Sequence, residues 1–287
     1  MKVLSTISEM RLACRDARSR GRLGLVPTMG ALHEGHLSLV RAARAQCETV
    51  AVSIFVNPTQ FGPNEDLAKY PRTFERDREL LEREGGSDAL LFAPSTEEMY
   101  PAGAVTWVTV EGLSQKLCGR SRPTHFRGVT TVVSKLFHIV EPDLAFFGQK
   151  DAAQCTILRK MVRDLDLPVE IVVCPIVREA DGLAMSSRNA YLNAEQRRSA
   201  TVLHRSLSRV QELVAKGERH SAKLMDAAQR IFLEELDVRV DYVEIVDNDT
   251  LESVEDVSLG ALVAVAAYVG LTRLIDNLLL APQSASS

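Results

Sequence analysis

Residues 27–36 read Pro-Thr-Met-Gly-Ala-Leu-His-Glu-Gly-His, and the architecture can be worked out from what surrounds them. The apolar run at 23–26 predicts a short buried strand, and the apolar side chains spaced over 37–45 predict a helix. The ten residues therefore form a loop from the end of a strand to the start of a helix. Free backbone N–H groups and the positive end of the helix dipole favour an anion, such as phosphate, at that point.

Two imidazoles stand at this helix start. His33 and His36 are three residues apart, so they share one face of the first turn. Gly35 between them lets a flat base or a phosphate approach bare backbone. A histidine pair without a function remains open from the residues alone, because this spacing is common on helix surfaces. A zinc site is less favoured, since no third ligand follows at a usual spacing and Glu34 is not placed as in His-Glu-x-x-His.

The composition is that of an ordinary globular protein. The chain has 287 residues, of which 46% are hydrophobic and 25% are charged, and its formal net charge of -4 argues against nucleic-acid binding. Its five cysteines, with no Cys-x-x-Cys spacing, predict neither a disulfide framework nor a zinc knuckle and fit a reducing compartment. The start lacks a signal-peptide pattern, and the longest apolar run, 261–269, is far below the roughly 20 residues of a membrane span. We therefore expect a cytoplasmic protein that binds neither nucleic acid nor membrane.

Strand-like runs alternate with helical stretches through the first part of the chain. The clearest strands are predicted at 50–56, 89–92, 144–147 and 169–177. A further strand-like run at 105–110 carries the single tryptophan, Trp107. Because the runs are apolar at nearly every position, the sequence predicts an α/β fold, a doubly wound parallel sheet of the Rossmann-like kind with helices on both faces. Ligands of such sheets bind beyond the carboxyl ends of the strands.

The pattern changes near residue 180, where Glu-Ala-Asp-Gly at 179–182 predicts a turn. We place a boundary there, which gives domains 1–180 and 181–287. In the second domain, Asn193 and Gln196 resemble a helix cap. A second helix at 221–236 and strands near 242–246 and 262–268 complete a smaller α+β domain.

Two further loops follow predicted strands. Residues 147–151, Phe-Gly-Gln-Lys-Asp, enter a predicted helix at 151–163, and Lys150 is placed to neutralise a phosphate. A solvated surface lysine is the alternative. Ser186, Ser187 and Arg188 follow the last parallel strand, and their hydroxyls and guanidinium can bind phosphate oxygens, although an ordinary serine-rich turn is also open.

Taken together, these motifs resemble those of the pantothenate synthetase family, the pantoate–β-alanine ligases. The resemblance covers nearly all of the chain and is carried by residues 26–36, 53–61, 70–73, 125–129, 147–151 and 186–192. The first and last motifs also resemble the His-x-Gly-His and Lys-Met-Ser-Lys-Ser elements of the nucleotidyltransferase superfamily.

The resemblance implies an activity. It is the ATP-dependent condensation of (R)-pantoate with β-alanine to pantothenate through a pantoyl-adenylate, with release of AMP and pyrophosphate, in coenzyme A biosynthesis. ATP is a substrate, and Mg²⁺ is expected to be bound mainly through ATP, with no protein ligand assigned. A homodimer is implied as well. Domain 1–180 would bind nucleotide and pantoate, and 181–287 would be a lid hinged near 178–184.

The same resemblance implies roles for individual residues. His36 would be the acid that assists pyrophosphate departure, and His33, Lys150 and Arg188 would complete the catalytic set. Gln60 and Gln154 would hold pantoate, and Gln60 would also face β-alanine. The expected ATP contacts are Met29, Gly30, Ala31, Leu32, His33, Glu34, Gly35, His36, Gly148, Gln149, Lys150, Asp151, Val177, Met185, Ser186, Ser187 and Arg188.

Some positions depart from the family pattern or keep alternatives open. Thr59 stands where the family form has methionine, which would change the pocket wall, and the superfamily's second lysine is missing after Met185. Asp77 and Tyr70 could line the pantoate side or be surface and core-edge residues. A basic loop could meet pyrophosphate or a substrate carboxylate, or be a solvated loop or subunit contact; its members are Arg120, Arg122, His125 and Arg127.

Two other functions compete with ligation. An adenylyltransferase would move AMP onto a phosphorylated acceptor, but neutral Gln60 and Gln154 argue against such an acceptor. A catalytically silent nucleotide sensor would keep the glycine-containing loops but could dispense with His36 and Lys150, which this chain retains.

Overall fold

The computed structural model describes residues 1–63 and 65–282 and contains two sheets. The first has six parallel strands: β1 Lys2–Leu4, β2 Leu23–Thr28, β3 Thr49–Ile54, β4 Leu90–Phe92, β5 Leu144–Gly148 and β6 Glu170–Cys174. Their order is β1-β4-β3-β2-β5-β6, and every pairing is parallel. The chain moves from β2 outward to β3 and β4 and later returns to the other side of β2 as β5. The gap between the ends of β2 and β5 is therefore the switch point where such sheets bind ligands.

Helices cover both faces of this sheet, as the apolar strands predict. The helices of the first part are α1 Ile7–Arg18, α2 Glu34–Arg44, α3 Phe74–Glu84, α4 Thr96–Met99, α5 Cys118–Ser121, α6 His125–Val140 and α7 Ala152–Asp164. Alternate strand residues point to opposite faces: Leu25 packs in the core formed with α1, α6 and α7, and Val26 in the core formed with α2 and α3.

The second sheet is antiparallel, in the order β7-β8-β9. Its strands are β7 Val238–Val246, β8 Ala261–Val269 and β9 Thr272–Leu280, and its helices are α8 Ala194–Ala200, α9 Val202–Ala215 and α10 Ser221–Phe232. One face, with Val263 and Val265, packs on α9 and α10. The other face, with Leu262 and Ala264, belongs to the same apolar core as α6 and α7.

The predicted fold class is confirmed, with local differences. The short strand β1 and the last strand β9 were not predicted, and the predicted strand at 105–110 is wrong, because the structure has no strand there. That stretch is held instead by the side chains of α6: Thr131 Oγ1 accepts the Val108 N–H at 3.0 Å, and Thr130 Oγ1 donates to the Val108 carbonyl at 2.6 Å. The division at residue 180 stays a prediction, and residues 283–287 of the predicted second domain lie outside the described residues.

Within the described residues, no helix combines the length and apolar character needed to cross a membrane.

Candidate active site

A cavity of about 230 Å³ lies at the switch point of the parallel sheet. Its floor is made by the carboxyl ends of the strands, including Thr28 of β2, Ser53 of β3 and Gly148 of β5. The loop after β2, the turn after β5 and the segment 185–188 form its walls. Three stretches that are far apart in sequence therefore converge on one space.

The two imidazoles of the first loop cap the start of α2. His33 Nδ1 accepts the Gly35 N–H at 3.2 Å, and His36 Nδ1 accepts the His33 N–H at 3.4 Å. Their ring centroids are 4.1 Å apart. Because each Nδ1 accepts a backbone hydrogen bond, this pattern assigns the proton of each neutral ring to Nε2. The helix start thus presents two Nε2–H donors on the cavity wall.

Both imidazoles are held in the neutral form. Burial lowers the pKa of His33 to about 4, with Lys150 contributing in the same direction. Burial also lowers the pKa of His36 to about 3, aided by His33 and Lys150. At neutral pH the pair can therefore donate hydrogen bonds to an oxyanion without carrying charge, and a bound polyphosphate would raise the pKa of both rings.

The carboxylate of Asp77 holds the loop after β2 in place. Its side chain, on α3, is buried, with 1% of the residue exposed. Its Oδ2 accepts the Ala31 N–H at 2.8 Å, and its Oδ1 accepts the Leu32 N–H at 2.9 Å and the Thr73 hydroxyl at 3.0 Å. Gly30, at φ +79°, packs against the same carboxylate. Asp77 therefore fixes the loop and is not among the residues that line the cavity.

Lys150 lies in the turn between β5 and α7. Its side chain is 22% exposed and its Nζ is 3.7 Å from Asp151 Oδ1. The backbone of the turn is fixed from the second sheet, because Asn277 Nδ2 donates to the carbonyls of Gln149 at 2.9 Å and Lys150 at 3.0 Å. The ammonium group therefore stands on an anchored backbone at the cavity wall.

The segment 185–188 is carried by a hairpin. The Met185 N–H donates to the Val177 carbonyl at 3.0 Å, and Arg178 pairs with the buried Asp276 of β9 at 2.6 Å. Ser187 Oγ donates to the carbonyl of Ala31 at 3.4 Å, which joins this segment to the loop after β2 that carries His33. The predicted hinge at 178–184 is thus braced against the second sheet.

Arg188 reaches the cavity as half of an ion pair. Its Nε donates to Asp66 Oδ2 at 3.0 Å, and its Nη2 donates to Asp66 Oδ1 at 2.9 Å. Burial works against ionisation of Asp66, but the pairing with Arg188 outweighs it and lowers the pKa of that carboxyl.

The two glutamines lie on the far wall. Gln60 Nε2 is 2.9 Å from Met29 Sδ, and Gln60 Oε1 accepts from the buried Asn57 amide at 3.2 Å. Gln154, on α7, lines the same cavity. Gly128 of α6 allows the turn around Gln60 to lie close, because a Cβ there would be 2.6 Å from the Gln60 backbone nitrogen.

Comparisons with known proteins agree with this geometry. The family model described as pantoate-beta-alanine ligase matches residues 2–279. A pantothenate synthetase of Acidobacterium capsulatum is 62% identical over an alignment of 292 positions, which covers 98% of this chain and 97% of that protein. The one from Koribacter versatilis is 59% identical over 281 residues, 98% of this chain and 96% of that protein.

The chain belongs to the pantoate–β-alanine ligase family.

Solved structures give the same result. The crystal structure of pantothenate synthetase from Thermus thermophilus has a TM-score of 0.93 and 48% identity, covering 98% of this chain and 100% of that one. The pantoate–β-alanine ligase from Francisella tularensis, with 31% identity, a TM-score of 0.78 and 97% of each chain covered, was crystallised with beta-gamma ATP and β-alanine.

The structure of this ligase brings most of the predicted site residues to one cavity. The predicted residues that line it are Met29, His33, Gly35, His36, Gln60, Gly148, Lys150, Asp151, Gln154, Val177, Met185, Ser186, Ser187 and Arg188. Five predicted ATP contacts lie behind the wall instead: Gly30, Ala31, Leu32, Glu34 and Gln149. Glu34 pairs with Arg41, and the Gln149 amide donates to Asn277 Oδ1 at 2.9 Å.

Other residues of this ligase matter although sequence reasoning gave them no role or a different one. Asp66 and Asn277 had no signal, because their partners are more than a hundred residues away in the chain. Asp77, for which a place on the pantoate side and a surface or core-edge role were both open, holds the loop after β2. Thr59 does not line the cavity in the described part of the chain, since its hydroxyl donates to Asn57 Oδ1 at 2.9 Å.

Proposed function

We propose that this ligase activates pantoate with ATP and then transfers the acyl group to β-alanine. One observation carries the proposal: the imidazole pair, Lys150 and Arg188 line one cavity whose other wall bears Gln60 and Gln154. Cationic and hydrogen-bond-donating groups suit a polyphosphate, and neutral amides suit an acid that must react.

In the first step, a carboxylate oxygen of pantoate attacks the α-phosphorus of ATP. The bond from that phosphorus to the bridging oxygen breaks, and pyrophosphate leaves. Gln60 and Gln154 orient the carboxylate without a strong ion pair, which would hold its lone pairs. His36, through Nε2–H, assists the leaving oxygen, and His33, Lys150 and Arg188 stabilise charge that builds up on the phosphates.

In the second step, the amine of β-alanine attacks the acyl carbon of pantoyl-adenylate. An amide bond forms, the acyl–phosphate bond breaks and AMP leaves. Gln60 faces both the acyl group and the incoming amine. The 181–287 domain, as a lid, would keep water from the mixed anhydride until the amine arrives.

Magnesium is proposed to arrive on the triphosphate as part of the substrate. In the described ranges, no group of three or more His, Cys, Asp or Glu side chains is placed to hold a metal. Asp151 is the one carboxylate lining the cavity in these ranges. A magnesium ion usually keeps phosphate and water ligands and needs few from the protein, and Asp151 is the residue that could reach it.

Exchange of labelled pyrophosphate into ATP tests the proposed first step. We expect exchange that requires pantoate and does not require β-alanine. Exchange that is absent with pantoate, or equally fast without it, would contradict the adenylate. A stable dinucleotide product would favour an adenylyltransferase instead.

The proposal also covers the setting of the reaction. We expect a cytoplasmic enzyme that acts as a homodimer on small-molecule substrates. Light scattering after size-exclusion chromatography should give twice the chain mass of 31.6 kDa. A single-chain mass across micromolar concentrations would contradict the dimer.

A further inference from the structure

One arginine that faces the cavity has no role in the steps above. Arg122 follows α5, and 14% of its side chain is exposed. It lines the main cavity and an adjoining one of about 70 Å³. Two other members of its basic loop point elsewhere: Arg120 pairs with Glu244, and the Arg127 guanidinium lies 4.7 Å from the centre of the Trp107 ring.

Arg122 is held by one edge of its guanidinium. Its Nε donates to Glu65 Oε1 at 2.8 Å, and its Nη2 donates to Glu65 Oε2 and, at 3.2 Å, to the Gln60 carbonyl. Among residues 1–63 and 65–282, Nη1 makes no hydrogen bond, whereas Nε and Nη2 do. The carboxylate therefore orients the fork and leaves its Nη1 donors for another anion.

The neighbouring carboxylate does the same for Arg188. Asp66 also binds its arginine through Nε and Nη2, which leaves the opposite edge of that guanidinium unused by the carboxylate. Two adjacent acidic residues thus orient two arginines that line one cavity. Their surroundings differ: Arg188 follows Ser186 and Ser187, whereas Arg122 touches the backbone of Gln60.

We propose that Arg122 binds the carboxylate of β-alanine and that Glu65 is the positioning residue for Arg122. This assignment rests on the proposed function. β-Alanine has two methylene groups between its amine and its carboxylate, so a carboxylate site must lie close to the acyl group that Gln60 faces. Arg122 meets this requirement because it lines the same cavity as Gln60, whose backbone carbonyl accepts from Arg122 Nη2 at 3.2 Å.

The chemistry of the two acids explains why only one of them meets an arginine. The pantoate carboxylate is the nucleophile, so a strong ion pair would weaken its attack. The β-alanine carboxylate does not react, and burying it without a cation would cost free energy. His125, whose Nδ1 is 2.9 Å from the Gln60 carbonyl, cannot serve as that cation at neutral pH, because burial and then Arg122 lower its pKa to about 4.

The test separates the two half-reactions. In Arg122→Gln, we expect the KM for β-alanine to rise about tenfold or more, as for loss of a charged hydrogen-bond pair, while pantoate-dependent exchange changes less than about threefold. The preference for β-alanine over propylamine, which lacks the carboxylate, should fall by a similar factor. Arg120→Gln, in the same loop, is the matched control and should alter neither quantity.

Glu65→Gln tests the positioning role. It keeps Arg122 but weakens its orientation, so the KM for β-alanine should rise by a smaller factor, with exchange retained and the propylamine comparison shifted in the same direction. A thermal melt of each variant reports whether the fold is intact.

The outcomes are distinguishable. If Arg122→Gln loses exchange as much as amide formation, the arginine serves the triphosphate and the assignment is wrong. If the KM for β-alanine and the propylamine preference stay unchanged, the residue is structural and the assignment is equally wrong. Absence of exchange in the unaltered chain would instead overturn the proposed function and, with it, this assignment.

Discussion

Lys150 places a positive charge near the imidazole pair, and the backbone of its turn is held by Asn277. We expect Lys150→Ala to slow adenylate formation by several hundred-fold, on the order of 4 kcal/mol, because a preorganised transition-state donor is lost. Pantoate-dependent exchange measures this. Lys160→Ala, at a more exposed position of α7, is the control and should keep full activity. If the exchange rate of Lys150→Ala falls less than tenfold, Lys150 does not act as a transition-state donor.

The neutral imidazoles predict how stability depends on pH. The pKa values of His33 and His36 lie at about 4 and about 3 in the folded chain, below the usual 6.5. The unfolded chain therefore binds protons first, so the free energy of unfolding falls as pH drops from about 6.5 towards 4. At pH 5 the cost is on the order of 2 kcal/mol for each ring.

Urea unfolding at pH 7 and pH 5 checks this expectation. A double variant, His33→Gln with His36→Gln, removes both titrating groups and should lose less stability between the two pH values than the unaltered chain. Equal losses in the two proteins would mean that the rings titrate normally.

At the scale of elements, α3 supports the loop after β2 through one carboxylate, that of Asp77. In Asp77→Asn, one of the two loop N–H donors would face an amide NH₂ and lose its acceptor. We expect a loss of about 1–3 kcal/mol in the free energy of unfolding, since a buried donor is left unpaired, together with a higher KM for ATP. Denaturant unfolding and initial rates measure the two effects.

Glu79→Gln gives a matched acid-to-amide control on the exposed side of the same helix, and it should change neither quantity. Normal stability and ATP kinetics in Asp77→Asn would show that the loop keeps its shape without the charge.

How far the elements could be predicted depended on where their stabilising partners lie. β2, α2 and β5 were predicted because each apolar pattern lies within its own segment. Any apolar surface can cover such a segment, so its partner need not be known. The run at 105–110 has a strand-like pattern, yet Thr130 and Thr131 of α6 take its backbone hydrogen bonds, and no local signal marks such a partner. The same reason hid β9, whose role depends on pairing with β8.

The site shows the same difference between residues with a local sequence signal and residues whose partners are distant. Residues that touch the cavity occur in recognisable runs, such as 147–151 and 185–188. Asp66 pairs with Arg188, Asn277 holds the 147–151 turn and Asp77 holds the loop after β2, and each acts on a partner distant in the chain. Their contribution could be found only from the folded arrangement.

At the scale of the whole molecule, the two sheets share one apolar core. Tyr242, Val246 and Leu262 of the second sheet pack with residues of α6 and α7 in a single cluster. We therefore expect one cooperative thermal transition, because neither sheet can lose its partner without exposing that core. Scanning calorimetry should give a single transition, and two resolved transitions would contradict the expectation.

The reciprocal imidazole cap has a consequence for how this protein could be altered. A serine or aspartate at position 33 would be an ordinary way to strengthen the start of α2. Here the capping ring of His33 also presents its Nε2–H at the cavity wall, so a conventional cap at position 33 would secure the helix and remove that hydrogen-bond donor. The stability of the helix start and the donor at the cavity wall are tied to the same side chain, so a substitution at position 33 that favours one is expected to alter the other.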